Sequence, residues 1–281
     1  MDLQDVKYMK VEKFIEVGGG LQMHYYERGV KTNPPIVFLH GGGPGALAWA
    51  NWRQNLDYFA EHGYWCLAPD ALGYGLSSKP EDARYNVEFL ASGVAGFLKA
   101  HGIRKAILVG NSLGGATALH YALHKPAVEI EKIVLVGPAG IGPRSASMDN
   151  EVVRLLFQIG RDRTMLTKEN IRKLFEGLIE NKSLITDELV AQRVEAANGQ
   201  PTVVFQTLQI GDLAPRLNEL KIPILAFWGA NDRVVPPTGA LELASRCERS
   251  RVLILSHCGH SPQIEMPALF NRMSVDFCKE T

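Results

Sequence analysis

Net charge is the first thing this sequence lacks. Its 30 Lys and Arg are matched by 30 Asp and Glu. A chain without an excess of either sign has no general electrostatic claim on nucleic acid or an anionic membrane, so charge selectivity has to be local. Cysteine is also scarce. Cys66, Cys247, Cys258 and Cys278 form no C-x-x-C pair and no framework spacing. That argues against a disulfide scaffold and predicts a reduced, cytoplasmic protein. No apolar run reaches bilayer length, and the opening "MDLQDVKYMK" lacks the apolar core of a signal peptide. Internal repeats and low-complexity tracts are absent. What remains is ordinary globular composition, 46% hydrophobic and 21% charged, which excludes a disordered chain. At 281 residues the length fits one large α/β domain, or one domain with an insertion.

Short apolar runs recur along the chain, each followed by a loop and a helical pattern. "PIVFLH" (35–40), "WCLAPD" (65–70), "KAILVG" (105–110), "EKIVLVG" (131–137), "PILAFWG" (223–229) and "RVLILSH" (251–257) read as buried strands. Their near-continuous Val, Ile and Leu suit a parallel sheet covered on both faces. "KFIEV" and "LQMHYYERG", joined by "GGG", read as an antiparallel opening hairpin. Helices are predicted at about 47–62, 87–101, 113–124, 238–247 and 267–279. Strand and helix in alternation predict a doubly wound α/β sheet. The alternation fails between Gly140 and Leu213. There "NEVVRLLFQI", "ENIRKLFEGLI", "DELVAQRVEAAN" and "PTVVFQTLQIGD" read as successive helices, with Thr167, Thr186 and Pro201 near their starts. The expected organisation is a core in two parts, 1–139 and 214–281, with a helical lid over 140–213. Such a lid belongs over the carboxyl edge of the sheet, where open α/β folds bind ligands.

Gly110-Asn111-Ser112-Leu113-Gly114 is a G-x-S-x-G sequence between a strand and a helix. That context is the nucleophile elbow. Small neighbours let strand and helix close around a strained serine, and the helix amino end favours developing negative charge. A serine nucleophile needs a base, and the base needs an orienting acid. On such a sheet the expected chain order is Ser, acid, His. "FWGANDRVVP" supplies Asp232 and "ILSHCGHSPQ" supplies His260, both just past strands. Asn231 cannot be an anion, Asp70 is the runner-up acid, and His257, at a strand end, reads as a buried structural histidine. The run His257-Cys258-x-His260 has no partner cluster, so no metal is expected. "HGGGPGA" (40–46) follows the strand "PIVFLH" and lets a backbone N–H approach a reacting carbonyl. The N–H groups of Gly42 and Leu113 are the candidate oxyanion hole.

Elbow, glycine loop, acid and histidine together resemble the α/β-hydrolase fold, a mostly parallel doubly wound sheet with an all-helical lid insertion. "LHGGGPGA", "NWRQN", "GNSLGGATAL", "VGPAGIGP", "SLITDELVAQR" and "FNRMSVDF" further resemble the meta-cleavage product hydrolases, bacterial enzymes of aromatic degradation that hydrolyse a carbon–carbon bond. The resemblance implies a cofactor-free serine hydrolase acting on a small 2-hydroxy-6-oxohexa-2,4-dienoate-type substrate. It implies that Arg193, on the lid, binds the carboxylate, as a guanidinium can with two parallel hydrogen bonds. It places Asn111 and Asn51 near the dienol and polar end, Gly43 in the glycine loop, and Ser183 at a further pocket position. Members of that family carry tryptophan after the catalytic histidine. Ser261 stands there in this chain, which predicts a wider, wetter pocket. Three readings stay open: the carbon–carbon hydrolase with ester hydrolysis beside it, a carboxylesterase of other physiology, and a non-catalytic receptor on the same fold. Neither nucleic acid nor membrane is an expected partner. Homo-oligomerisation is left open.

Overall fold

The computed structural model describes residues 13–124, 126–142 and 150–280. Strands β1 (Lys13–Gly18) and β2 (Leu21–Arg28) open the chain, followed by β3 (Pro35–Leu39). Helices α1 (Ala48–Trp52) and α2 (Leu56–Glu61) precede β4 (Trp65–Pro69). Then come α3 (Val87–Ala100), β5 (Lys105–Asn111), α4 (Leu113–Leu123) and β6 (Glu129–Val136). Four helices follow without a strand: α5 (Glu151–Arg161), α6 (Lys168–Leu178), α7 (Asp187–Asn198) and α8 (Val203–Thr207). The chain ends with β7 (Ile224–Gly229), α9 (Thr238–Arg246), β8 (Ser250–Leu255), α10 (Pro262–Glu265) and α11 (Pro267–Lys279).

The eight strands form one sheet in the order β1-β2-β4-β3-β5-β6-β7-β8. β2 runs antiparallel to both β1 and β4, and the remaining pairings are parallel. Period-two alternation splits the central strands between two cores. Val37, Leu108, Ile133 and Ala226 face one side, with Val94 and Phe97 of α3, Leu119 of α4 and Leu243 of α9. Ile36, Val109, Val134 and Phe227 face the other, with Trp52 of α1, Phe59 of α2 and Phe270 of α11. Each fully buried Val, Leu, Ile or Phe among these contributes about 1.5–3 kcal/mol of transfer free energy. Burial on both faces is why these strands read as unbroken apolar runs; β8, read as buried from "RVLILSH", is instead a partly exposed edge strand with Ile254 facing solvent, because nothing among the described residues pairs with its outer side.

The expected helices appear with two changes. The predicted helix over 47–62 is two short ones, because 53–55 turns the chain and Asn55 is taken into a buried bond with Asn271 Oδ1 (2.8 Å). The stretch "PTVVFQTLQIGD" is helical only over Val203–Thr207; Gln209 instead forms a parallel bridge with Asn86. Thr167 and Thr186 cap α6 and α7, their hydroxyls accepting from Asn170 and Leu189 N–H. The short helix α10 escapes the sequence reading, being too brief to show a period. The helices of the strandless interval hold a small core of their own around Ile159, Ile171, Leu174 and Val190. Among the described residues no helix is long and apolar enough to cross a membrane. The four cysteines are free and buried.

Candidate active site

The carboxyl ends of the strands carry the site. β5 passes directly into α4 through Ser112, whose φ of 52° and ψ of −114° lie outside the comfortable region for a non-glycine residue. Tight packing holds the strain in place. A Cβ on Gly114 would fall 2.1 Å from the Leu39 carbonyl oxygen, and one on Gly110 would fall 2.6 Å from that of Gly114. Only glycines let β3, β5 and α4 approach this closely. Ser112 N–H donates to Val136 O (2.9 Å), and Ser112 O accepts from Ala116 and Ala139 N–H (both 3.0 Å).

Two loops bring an acid and a histidine together. Beyond β7, Asp232 Oδ1 accepts the N–H groups of Val234 (2.8 Å) and Val235 (2.9 Å). Its Oδ2 accepts from His260 Nδ1 at 2.8 Å, with both side chains buried. The Nδ1 proton is thereby fixed toward Asp232 and Nε2 is left to act as a base. His260 and Ser112 line the same cavity. The rival residues have other roles. Asp70 is buried, receives Ala48 N–H (2.8 Å), and is paired with His24 Nδ1 (2.8 Å). Its partner ring is therefore already taken. His257 corrects the expectation of a buried structural histidine. It is exposed, with φ of 52° in the turn after β8.

The glycine loop is ordered by side-chain hydrogen bonds, those of Tyr74 and Gln200 coming from residues the sequence does not mark. His40 Nδ1 donates to Gly41 O (2.7 Å), and its Nε2 accepts from Ala71 N–H (2.9 Å). Burial holds this imidazole below its ordinary pKa and so neutral. Gly41 N–H donates to Asn51 Oδ1 (3.2 Å). The buried Tyr74 hydroxyl donates to Gly42 O (3.0 Å), and burial raises the pKa of that phenol. Gln200, just beyond α7, accepts from Gly45 N–H (2.9 Å) and donates to Gly73 O (3.0 Å), tying the helical segment to the loop. Gly42 and Leu113 stand side by side: a Cβ on Gly42 would be 2.9 Å from Leu113 Cβ. No spacing in the sequence marks Tyr74 or Gln200.

The cavity measures about 560 Å³ and is roofed by apolar side chains of α5 and α6, including Val153, Leu156 and Phe175. Gly43, Asn51, Asn111, Arg193 and Ser261 also line it. Asn111 Nδ2 donates to Val136 O (3.1 Å) and His260 O (3.4 Å). Asn51 Nδ2 and Arg193 Nε are buried without a hydrogen-bond partner among the described residues. The Arg193 guanidinium lies 5.6 Å from the Phe175 ring centroid and has no carboxylate partner among the described residues. Burial without an anion lowers its pKa to about 10, far enough above neutrality to keep it cationic. Ser183 is a correction. It lies on an exposed 3₁₀ turn, bonded to Asn181 Oδ1 (2.7 Å), while its neighbour Leu184 lines the cavity. The turn's Asx cap points the hydroxyl outward. No cluster of metal-ligating side chains occurs among the described residues.

A serine on a strained strand-to-helix turn, beside a glycine loop and a buried Asp–His pair, is the architecture of a serine hydrolase. A model of the alpha/beta hydrolase family matches residues 36–273, and the chain belongs to that family. It is 35% identical over 282 residues to a 2-hydroxy-6-oxononadienedioate/2-hydroxy-6-oxononatrienedioate hydrolase of Burkholderia vietnamiensis, covering 97% of this chain and 95% of that protein. It is 34% identical over 267 residues to a 2-hydroxy-6-oxo-6-phenylhexa-2,4-dienoate hydrolase of Comamonas testosteroni, covering 92% and 91%. Among solved structures, the 2-hydroxy-6-oxo-6-phenylhexa-2,4-dienoate hydrolase of a Rhodococcus species superposes with a TM-score of 0.86 at 27% identity, covering 96% of this chain and 99% of that one.

Proposed function

We propose that this chain is a meta-cleavage product hydrolase that cleaves a carbon–carbon bond in 2-hydroxy-6-oxohexa-2,4-dienoate-type ring-fission products. The observation that carries the substrate class is Arg193, a cation in the cavity with no anion beside it among the described residues. A substrate carboxylate supplies that anion. The apolar roof then takes the rest of a flat conjugated chain.

In the proposed reaction, His260, oriented by Asp232, moves a proton that converts the dienol to its keto form. The far carbonyl becomes electrophilic and its carbon leaving group can depart as a stabilised enol. Ser112, or a water activated beside it, adds to that carbonyl. The resulting oxyanion is held by the N–H groups of Gly42 and Leu113. The carbon–carbon bond breaks and its electron pair passes to the dienol fragment. One water is consumed overall, and the products are 2-hydroxypenta-2,4-dienoate and a carboxylic acid. Asn111 and Asn51 serve the polar end of the substrate.

Ester hydrolysis uses the same nucleophile and the same hole. The small Ser261 on the cavity wall favours it as a second activity. A turnover panel of ring-fission dienoates beside simple aryl and alkyl esters tests the reading. The expected result is a higher kcat/KM on the dienoates. Turnover of esters alone would make the chain a carboxylesterase, and turnover of neither would favour the receptor.

A further inference from the structure

The loop that carries His260 is held by the helical segment above it. His260 N–H donates to Leu178 O (2.7 Å), at the end of α6. The preceding N–H, of Gly259, donates to Glu265 Oε1 (2.8 Å). The other oxygen of that carboxylate, Oε2, accepts from Glu180 N–H (2.7 Å) and Asn181 N–H (3.0 Å), just beyond Leu178. Cys258 Sγ lies 3.8 Å from Oε1 as a further donor. Glu265 sits at the end of α10, so one side chain ties the histidine loop to the chain that leaves α6. Gly259 is fitted to this junction. A Cβ there would stand 2.5 Å from Leu178 O, 3.0 Å from Glu180 N and 3.0 Å from Glu265 Oε1.

We propose that Glu265 is a positioning residue for catalysis: its carboxylate clamps the His260 loop to the 178–181 segment, so that the helical lid sets where the imidazole stands. The proposal rests on His260 being the base. Asp232 fixes the Nδ1 side of the ring and the clamp fixes the backbone that carries it. Leu178 and His260 both line the cavity, so a substrate pressed against the lid is also pressed against the histidine's support. The chemistry of the clamp requires an all-acceptor side chain. Three N–H groups converge on two oxygens. A glutamine presents one acceptor and one donor, so whichever way its amide turns, one side of the junction faces donor against donor.

Glu265→Gln tests this. Sulfonylation of Ser112 by phenylmethylsulfonyl fluoride, which forms the O–S bond with loss of fluoride, reads the base-assisted nucleophile directly and needs no assumption about the natural substrate. The expected rate, per folded molecule, falls about ten- to a hundredfold, the scale of an ångström-level misplacement. A purely structural carboxylate would lower Tm and leave the rate per folded molecule unchanged, and that result would overturn the proposal. His260→Ala run in parallel separates the two readings. If it labels at the wild-type rate, the base assignment fails. If it is inert while Glu265→Gln labels normally, only the clamp fails. Should Glu265→Gln not fold, amide hydrogen exchange of the wild-type chain decides. The clamp predicts that the amides of Glu180, Asn181, Gly259 and His260 are protected and open together. Unprotected exchange at Glu180 and Asn181 beside a protected Gly259 would overturn it.

Discussion

Arg193 lies so close to Gly43 that a Cβ on the glycine would fall 2.8 Å from the guanidinium Nη2. Arg193 of α7 and the glycine loop therefore share one end of the cavity, and a side chain at position 43 would displace the cation. Arg193→Ala should harm dienoate turnover far more than turnover of neutral esters. A lost charge-assisted contact is worth about 1.5–3 kcal/mol, so kcat/KM on the dienoate should fall ten- to a hundredfold relative to the ester. Equal losses on both substrates in steady-state kinetics would show that Arg193 does not hold a carboxylate.

Asp232 and Asp70 should separate cleanly. Asp232→Asn leaves the loop in place but removes the anion that stabilises an imidazolium, and such a change costs about ten-thousandfold in kcat. Asp70 bonds a different histidine, in the buried pair with His24. Asp70→Asn should lower stability by about 1–3 kcal/mol, the cost of disturbing a buried hydrogen-bonded group, and leave kcat per folded molecule largely intact. Denaturant titration and kinetics on the two variants measure this. The opposite pattern would make Asp70 the acid.

Stability should begin to fall at a pH above the carboxylate range. Burial holds the imidazoles of His40, His101 and His120 below their ordinary pKa. In the unfolded chain they titrate near about 6.5. As the pH drops through that value the unfolded state binds more protons than the folded one, so stability is full above it and declines below it. The carboxyl of Asp70 is also held low despite its burial, by the hydrogen bonds from His24 and from Ala48 N–H. Its contribution is lost at still lower pH, below about 3.9. Tm measured from pH 8 to pH 4 should decline from about pH 6.5 downward. A flat Tm to pH 5 would contradict this.

Ser261 is a buried wall of the cavity, and its carbonyl starts α10 by accepting from Ile264 N–H (2.8 Å) and Glu265 N–H (2.9 Å). Those bonds are made by the backbone and survive substitution. Ser261→Trp should fill part of the cavity and narrow the substrate range. A well-fitted large side chain exchanges about 1.5–3 kcal/mol, and overpacking costs about 1–3 kcal/mol. Bulky esters should lose most, with the dienoate retained or improved. An unchanged ratio of the two kcat/KM values would mean that Ser261 does not shape the reacting pocket.

How much of this was legible in the sequence follows from range. The central strands are visible because both of their faces are covered, so the apolar signal is uninterrupted; the equally apolar "RVLILSH" lies at the sheet edge and is half-exposed, which an apolar run alone does not distinguish. Thr167 and Thr186 were visible as caps because a cap acts on residues two or three positions away. Ser112 was visible because its strain demands small neighbours in the chain itself. Ser183 was misplaced because one 3₁₀ turn decides which of two adjacent residues faces inward, and no period reports that. Tyr74, Gln200 and Glu265 were invisible for a different reason. Each acts on backbone groups across the fold, from Gln200 to Gly45 or from Glu265 to Glu180, and a hydrogen bond to a distant backbone leaves no pattern along the chain.

Carbon–carbon hydrolysis by Ser112, Asp232 and His260, in a cavity that takes a dienoate, can be read from its products. Product analysis tests it most directly. Purified wild-type chain and its Ser112→Ala variant are each supplied with 2-hydroxy-6-oxo-6-phenylhexa-2,4-dienoate. The wild type should release benzoate and 2-hydroxypenta-2,4-dienoate in equal amounts. The folded variant should lose on the order of a millionfold in turnover. Stoichiometric products at near-wild-type rate from Ser112→Ala, or no carbon–carbon cleavage by a wild type that turns over esters, would contradict it.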